Sequence, residues 1–264
     1  MQLDPIAVAA GVRLEALATV GSTNEQARLR AQRGEPAPLW ITAQAQTEGR
    51  GRMDRSWDSP AGNLYASLLL RDPSPYDRAP ELAFVAALAL RDAVIAEASA
   101  LAPALSFKWP NDLLLAEQKC AGILIEGEAE PGKSLSIIVG IGINCASHPA
   151  DAAYPATDLR GHGAAVTPDR LFRRLSATMC GRIVQWDRGR GFAAIRADWL
   201  SSAHKLGEAI TVRNGLGEKH GRFAGLDPSG RLILEAPGGG SEKISAGDVF
   251  PIAPRGGRPV PSRL

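Results

Sequence analysis

Three β-type runs, at 113–115, 121–125 and 135–143, follow one another with only short connections between them. Such connections imply antiparallel neighbours, because a parallel pair needs a long crossover. This feature constrains the fold most, since it puts a largely antiparallel sheet at its centre. More β-type sequence lies upstream, in Leu39-Trp40-Ile41-Thr42-Ala43 and in Leu64-Tyr65-Ala66-Ser67-Leu68-Leu69-Leu70. Phe107-Lys108-Trp109 leads into a turn at Pro110-Asn111-Asp112.

Helical signals punctuate these runs. Ser22-Thr23-Asn24-Glu25-Gln26-Ala27 reads as a polar helix start, with small residues able to cap and good helix formers behind them. The segment from 81 to about 98 is rich in Ala and Leu and apolar nearly all round, as a buried helix is. Thr167-Pro168-Asp169 opens another helix, with Leu171, Phe172, Leu175, Met179 and Ile183 at helical spacing behind it. From about Lys205 the texture changes to short apolar runs separated by Asn-Gly, Asp-Pro-Ser-Gly and Pro-Gly-Gly-Gly turns. That is the pattern of a small β-barrel. The chain is therefore expected to be α+β: a mixed, largely antiparallel sheet with helices over 1–204, a small all-β domain over 205–253, and a flexible tail over 254–264.

Composition narrows the class. A chain of 264 residues with 45% apolar and 22% charged residues has the make-up of a globular protein. Its net charge of +2, from 30 basic against 28 acidic residues, lacks the excess of a nucleic-acid binder. The cysteines Cys120, Cys145 and Cys180 form no CxxC pair and no zinc-ligand spacing with the four histidines, so no bound metal is expected. Sparse free thiols, no signal peptide and no apolar run of membrane length make a cytoplasmic protein the expectation.

Three constellations carry chemistry. In Gly49-Arg50-Gly51-Arg52-Met53-Asp54-Arg55-Ser56-Trp57, glycines alternate with arginines in an irregular stretch. Glycine allows close backbone approach, arginine offers planar donors to phosphate or carboxylate, and Trp57 offers a face for a purine. Taken alone the segment is equally a solvated basic loop or an RGG-type nucleic-acid contact. Lys108-Trp109-Pro110-Asn111-Asp112, followed by Lys119 and Ala121-Gly122-Ile123-Leu124-Ile125-Glu126, is either a surface hairpin or a site. In a site, Lys119 would face an acyl-phosphate while Asn111 and Asp112 manage nucleotide or Mg²⁺ contacts. Val139-Gly140-Ile141-Gly142-Ile143-Asn144 lacks the third Rossmann glycine and the P-loop Gly-Lys-Ser/Thr. Its glycines read as strand positions that permit close packing.

The order of these segments resembles the catalytic domain of biotin protein ligases. It runs from Ser22-Thr23-Asn24 through Gln46 and Gly49–Trp57 to the Lys108, Lys119 and Gly140 segments. The closing Gly225-Leu226-Asp227 and Ser245-Ala246-Gly247-Asp248-Val249 are similar to that family's SH3-like C-terminal domain. The resemblance implies a class II synthetase-like catalytic fold and an enzyme that makes biotinyl-5′-AMP from biotin and ATP, with Mg²⁺ on the nucleotide. The biotinyl group then passes to a lysine of a biotin carboxyl carrier protein. The resemblance assigns Ser22, Thr23, Asn24, Gln46, Arg50, Gly51, Arg52, Lys119 and Gly122 to biotin. It assigns Arg50, Arg52, Arg55, Trp57, Lys108, Asn111, Asp112 and Asn144 to ATP. Lys119 and Arg52 are the candidate catalytic residues. No DNA or membrane partner is implied, and a monomer or weak homodimer is expected.

Two positions depart from the family pattern: Glu48 replaces a small residue, and Asp54 replaces glycine. Both bear on the resting conformation of the Gly/Arg loop. Two other readings compete. A lipoate–protein ligase shares the fold and parallel chemistry, but the Gly-Arg-Gly-Arg and Lys-Trp-Pro-Asn-Asp segments favour biotin. A biotin-responsive repressor would carry a helix-turn-helix ahead of the helix that starts near Ser22, where this sequence offers little room.

Overall fold

The computed structural model describes residues 1–53, 55–128, 134–150, 154–214 and 217–251. Asp54 and the expected tail at 254–264 lie outside the described residues. The first part of the chain builds strands β1 (Arg13–Val20), β2 (Leu39–Gln46), β3 (Leu64–Arg71), β4 (Leu105–Lys108), β5 (Asp112–Leu115), β6 (Gln118–Glu128) and β7 (Ser136–Ile143). They form one seven-stranded sheet in the order β1-β2-β3-β7-β6-β5-β4. Only β1 and β2 run parallel, and every other pair is antiparallel. The short connections around 113–143 thus do what their length dictates.

Helices α1 (Pro5–Ala9), α2 (Thr23–Gln32), α3 (Leu82–Glu97), α4 (Pro168–Trp186) and α5 (Phe192–Leu200) complete this part. The apolar segment at 82–97 is the buried helix α3, with Leu88, Ala89 and Leu90 almost free of solvent. It packs against α4, whose Leu171, Phe172, Leu175 and Met179 are buried on one stripe. Phe172 meets Trp40 of β2 edge to face at 5.6 Å. Each such large side chain taken from water contributes roughly 1.5–3 kcal/mol. The Thr167 hydroxyl accepts from the Arg170 N–H at 3.4 Å, so the expected cap forms. Ser22 stands at the N-cap of α2 in extended conformation, but its side chain makes no capping bond.

The helices leave the two faces of the sheet unequal. On one face α3 and α4 cover β3, β6 and β7. On the other, α2 covers part of β2, β3 and β7, packing Ala27 and Ala31 on Ile41, Leu69 and Ile138. The cross-strand sets Tyr65–Gly142–Gly122 and Ser67–Gly140–Leu124 share that second face. Glycines there leave a hollow floor. The far edge, β4, is closed by residues 202–204: Phe107 N–H donates to Ser202 O, and His204 N–H donates to Phe107 O. Covering an edge in this way blunts unwanted strand pairing.

The C-terminal part is a five-stranded antiparallel sheet of β8 (Ala209–Asn214), β9 (Gly217–Leu226), β10 (Leu232–Glu235), β11 (Ser241–Ile244) and β12 (Asp248–Pro251), in the order β11-β10-β9-β8-β12. It docks on the first part through Trp109, whose indole N–H donates to Gly230 O at 3.0 Å. Gly230 sits at φ +80° against the Phe84 ring, where a Cβ would come within 2.8 Å of a ring carbon. Among the described residues, no helix is long and apolar enough to cross a membrane.

Candidate active site

A cavity of about 470 Å³ opens on the bare face of the seven-stranded sheet. Its floor is made by the missing side chains of Gly122, Gly140 and Gly142. Trp57 lies flat in this hollow: a Cβ on Gly142 would come within 2.7 Å of its Nε1, and one on Gly122 within 3.0 Å of its ring. The indole N–H is buried and has no hydrogen-bond partner. Such a donor is uncommon in a folded protein and suits a site that receives a ligand acceptor.

One end of the cavity is a polar head. Thr23 N–H donates to Gln46 Oε1 at 2.8 Å, and Gln46 Nε2 donates to Ser59 Oγ at 2.9 Å. Ser59 Oγ donates in turn to Trp57 O at 2.8 Å. Asn24 falls over Gly140, where a Cβ would strike its Oδ1 and come within 2.8 Å of its Cγ. Its amide donates to Glu126 Oε2 at 2.6 Å. The β2 strand delivers Gln46 and the start of α2 delivers Thr23 and Asn24, so two backbone elements fix this end.

The Gly/Arg segment is more ordered than an irregular stretch suggests. Gly51 N–H donates to Arg55 O at 2.7 Å, Trp57 N–H donates to Gly49 O at 2.8 Å, and Arg50 bridges Ser56 antiparallel. A tight hairpin-like loop results. Gly49 is required there, because a Cβ would fall on Trp57 O and Ser59 Oγ. Each arginine rests on an acceptor. Arg50 lies 3.2 Å from Glu126, Arg52 donates to Asn111 Oδ1 at 3.0 Å, and Arg55 pairs with Asp248. Glu48 is exposed, with its N–H donating to Gly21 O at 2.8 Å.

The other end gathers cations. Lys119 Nζ lies 2.7 Å from Asp112 Oδ1 and 5.3 Å from the Trp57 ring centroid. Lys108 Nζ lies 3.5 Å from the Tyr154 ring centroid and 5.2 Å from that of Phe250. Burial drives the Lys108 ammonium down to about 8, although Asp112 opposes the shift. Burial likewise lowers Arg52, which stays charged at any physiological pH. Asn111 Nδ2 donates to Ile123 O, and buried Asn144 donates to Thr157 O, so both amides are held by backbone. The thiols of Cys120 and Cys145 are pushed up by burial, Cys145 to about 12, and neither supplies a thiolate nucleophile.

The structure brings Ser22, Thr23, Asn24, Gln46, Arg50, Gly51, Arg52, Arg55, Trp57, Lys108, Asn111, Asp112, Lys119, Gly122 and Asn144 around this one cavity. Sequence reasoning missed Tyr154, Asp248 and Phe250, which also line it. Tyr154 lies in a stretch without periodicity. Asp248 and Phe250 come from β12, and nothing in their local sequence ties them to a pocket on another sheet.

Residues 18–144 match the biotin/lipoate A/B protein ligase family, and residues 205–250 match the biotin protein ligase C-terminal domain. A biotin–[acetyl-CoA-carboxylase] ligase of Paracoccus denitrificans is 41% identical over 240 residues, covering 89% of this chain and 98% of that protein. The one from Mycobacterium tuberculosis is 34% identical over 244 residues, covering 90% and 88%. Among solved structures, the biotin protein ligase of Aquifex aeolicus in complex with biotin and ATP superposes with a TM-score of 0.77 at 26% identity, covering 90% and 97%. Sequence, fold and cavity agree, and this chain belongs to the biotin protein ligase family.

Proposed function

We propose that this protein activates biotin with ATP and transfers the biotinyl group to a lysine of a biotin carboxyl carrier protein. The observation that carries this reading is the convergence of all five sequence segments on one cavity with a polar head and a cationic end. A carboxylate does not acylate an amine at neutral pH, so it must first become an anhydride. In the first step the biotin carboxylate attacks the α-phosphorus of ATP, the bond to the β-phosphate bridging oxygen breaks, and pyrophosphate leaves. Biotinyl-5′-AMP results. In the second step the carrier lysine, as a free amine, attacks the acyl carbon, AMP leaves, and the nitrogen loses a proton.

The roles proposed are those the family resemblance implies, supported by the shared cavity. Ser22, Thr23, Asn24 and Gln46 bind the ureido head, while Arg50, Gly51 and Arg52 close over the ligand. Lys119 and Arg52 neutralise charge between the carboxylate and the α-phosphate. Lys108, Asn111, Asp112, Asn144, Arg55 and Trp57 hold the nucleotide. Holding two anions together and screening them is the main task, and preorganised cations in a dry pocket perform it. Mg²⁺ bound with the nucleotide would screen the phosphate charge, and Asp112, one of three carboxylates that line the cavity, would be the residue to reach it.

The proposal further places the catalytic unit at 1–204 and an SH3-like unit at 205–253, acting in the cytoplasm as a monomer or weak homodimer without DNA or membrane contact. The balanced charge of +2 supports the absence of a nucleic-acid partner. Incubation with biotin, Mg·ATP and a carboxyl carrier domain, read by intact mass, tests the function. One added biotinyl group is expected on the carrier. An unmodified carrier, or lipoate in place of biotin, refutes it.

A further inference from the structure

Behind the polar head runs a chain of hydrogen-bonding groups that reaches two residues given no role in the reaction above, Ser67 on β3 and Glu126 on β6. Strand β7 lies between them, with Gly140 opposite Ser67 and Ile138 opposite Glu126. The two side chains therefore flank the hollow over Gly140 into which Asn24 falls. Ser67 is fully buried, and Asn24 is 4% exposed.

The orientation of the Asn24 amide follows from one charge. An ionised carboxylate can only accept. Glu126 Oε2 takes the Asn24 amide N–H at 2.6 Å, which turns Asn24 Oδ1 toward Ser67 Oγ, also at 2.6 Å. A carbonyl oxygen cannot donate, so the single Ser67 proton is spent on it. Ser67 Oγ also lies 2.8 Å from Thr23 Oγ1. Thr23 Oγ1 in turn donates to Gln46 Oε1 at 3.1 Å, so its proton goes to the Gln46 carbonyl oxygen. Thr23 and Asn24 both line the cavity, where Thr23 Oγ1 can still accept and Asn24 still has a second amide N–H to donate.

We propose that Glu126 and Ser67 are positioning residues: the Glu126 charge and the Ser67 hydroxyl together fix the orientation of the Asn24 amide, and so select a ligand head that both donates and accepts hydrogen bonds, as a cyclic urea does. The inference rests on the biotin reading. It explains how the site prefers a ureido ring over an apolar dithiolane, because buried polar groups left unpaired weaken the wrong ligand strongly. Glu126 also holds Arg50, so the same carboxylate ties the head of the site to the Gly/Arg loop.

The test is adenylate formation, followed by ATP–pyrophosphate exchange, in the full chain and its Glu126→Gln, Ser67→Ala and double variants, with biotin and with desthiobiotin, which keeps the urea. Glu126→Gln keeps the shape but lets Asn24 flip. Ser67→Ala cuts the chain and leaves the Glu126–Arg50 pair intact. Each single variant is expected to raise KM for biotin about tenfold and to leave KM for ATP within about twofold. Desthiobiotin should lose by the same factor, and the double variant should be no worse than the poorer single one. An unchanged biotin KM in Ser67→Ala, equal shifts for biotin and ATP, a loss that spares desthiobiotin, or additive losses would each overturn the inference. If the unaltered protein forms no adenylate with biotin, the biotin reading itself falls and this inference with it. Normal exchange in the unaltered protein with unaffected variants removes the inference alone.

Discussion

Lys119 and Lys108 show how two lysines in one cavity take different work. Lys119 stands beside Asp112 and the Trp57 ring at the cationic end of the cavity. Its removal should leave the developing charge on the α-phosphate without its nearest ammonium. We predict that Lys119→Ala lowers ATP–pyrophosphate exchange by roughly 10²–10³, the loss typical of one preorganised charge donor. Exchange at the normal rate would remove Lys119 from the first step. Lys108 is buried among aromatic rings, and its ammonium is lowered to about 8. Below that pH it is a cation that can meet a phosphate, and above it the charge is lost. The KM for ATP in adenylate formation should therefore climb as pH rises through 8, by up to about tenfold per unit. Lys108→Arg should flatten the climb. A KM for ATP that does not change between pH 7 and 9 contradicts this. For folding the sign is reversed. The folded value lies below the ordinary 10.5, so the cost of burying this charge is full below about 8 and fades between the two, and stability from this group rises with pH.

At the scale of elements, the Gly/Arg loop and the glycine-bearing strand β7 decide access and floor. The loop is parked by three arginines, each on a different acceptor: Glu126, Asn111 and Asp248. A phosphate or carboxylate can replace these partners, which suits a loop that closes on an anion. Water destroys the mixed anhydride, so closure protects it. Arg52→Gly is predicted to form biotinyl-5′-AMP yet release it, and lysines on bystander proteins should become biotinylated. Retention of the adenylate equal to that of the unaltered protein would dispose of this. Gly142→Ala tests the floor. Its methyl would displace Trp57, since a Cβ there comes within 2.7 Å of the indole nitrogen. KM for ATP should rise by about tenfold or more while the melting midpoint moves little, and an unchanged KM would show that Trp57 does not need this floor. The helices and most strands were legible because their period is local: α3 by its apolar run, α4 by its stripe, β5 to β7 by short connections. Strand β1 was not, because it is an edge with no fully buried position and so carries no clear alternation. The loop read as irregular for a different reason: its hairpin rests on backbone bonds and glycine clearance, which leave no hydrophobic period.

At the scale of the whole molecule, the C-terminal sheet completes the cavity. Asp248 pairs with Arg55, Gly247 O lies 3.5 Å from the Arg52 guanidinium, and Phe250 walls Lys108. We predict that Asp248→Ala and Phe250→Ala raise KM for ATP several-fold while leaving KM for biotin unchanged, because the polar head lies at the other end. Steady-state kinetics with each substrate varied separately would check this. Equal effects on both would mean that the two sheets merely support each other. The sequence by itself determined which segments supply donors and glycines and in what order they come, since donors, glycines and turn residues are chosen locally and remain visible one segment at a time. It also determined the antiparallel centre of the sheet, through the lengths of its connections. Only the tertiary structure decided that the segments share one cavity, that Trp57 fills the glycine hollow, and that Tyr154, Asp248 and Phe250 join them. Those contacts span up to 195 residues of chain between their partners, as in Arg52 with Gly247. No local period or turn records such a distance, and packing alone brings them together.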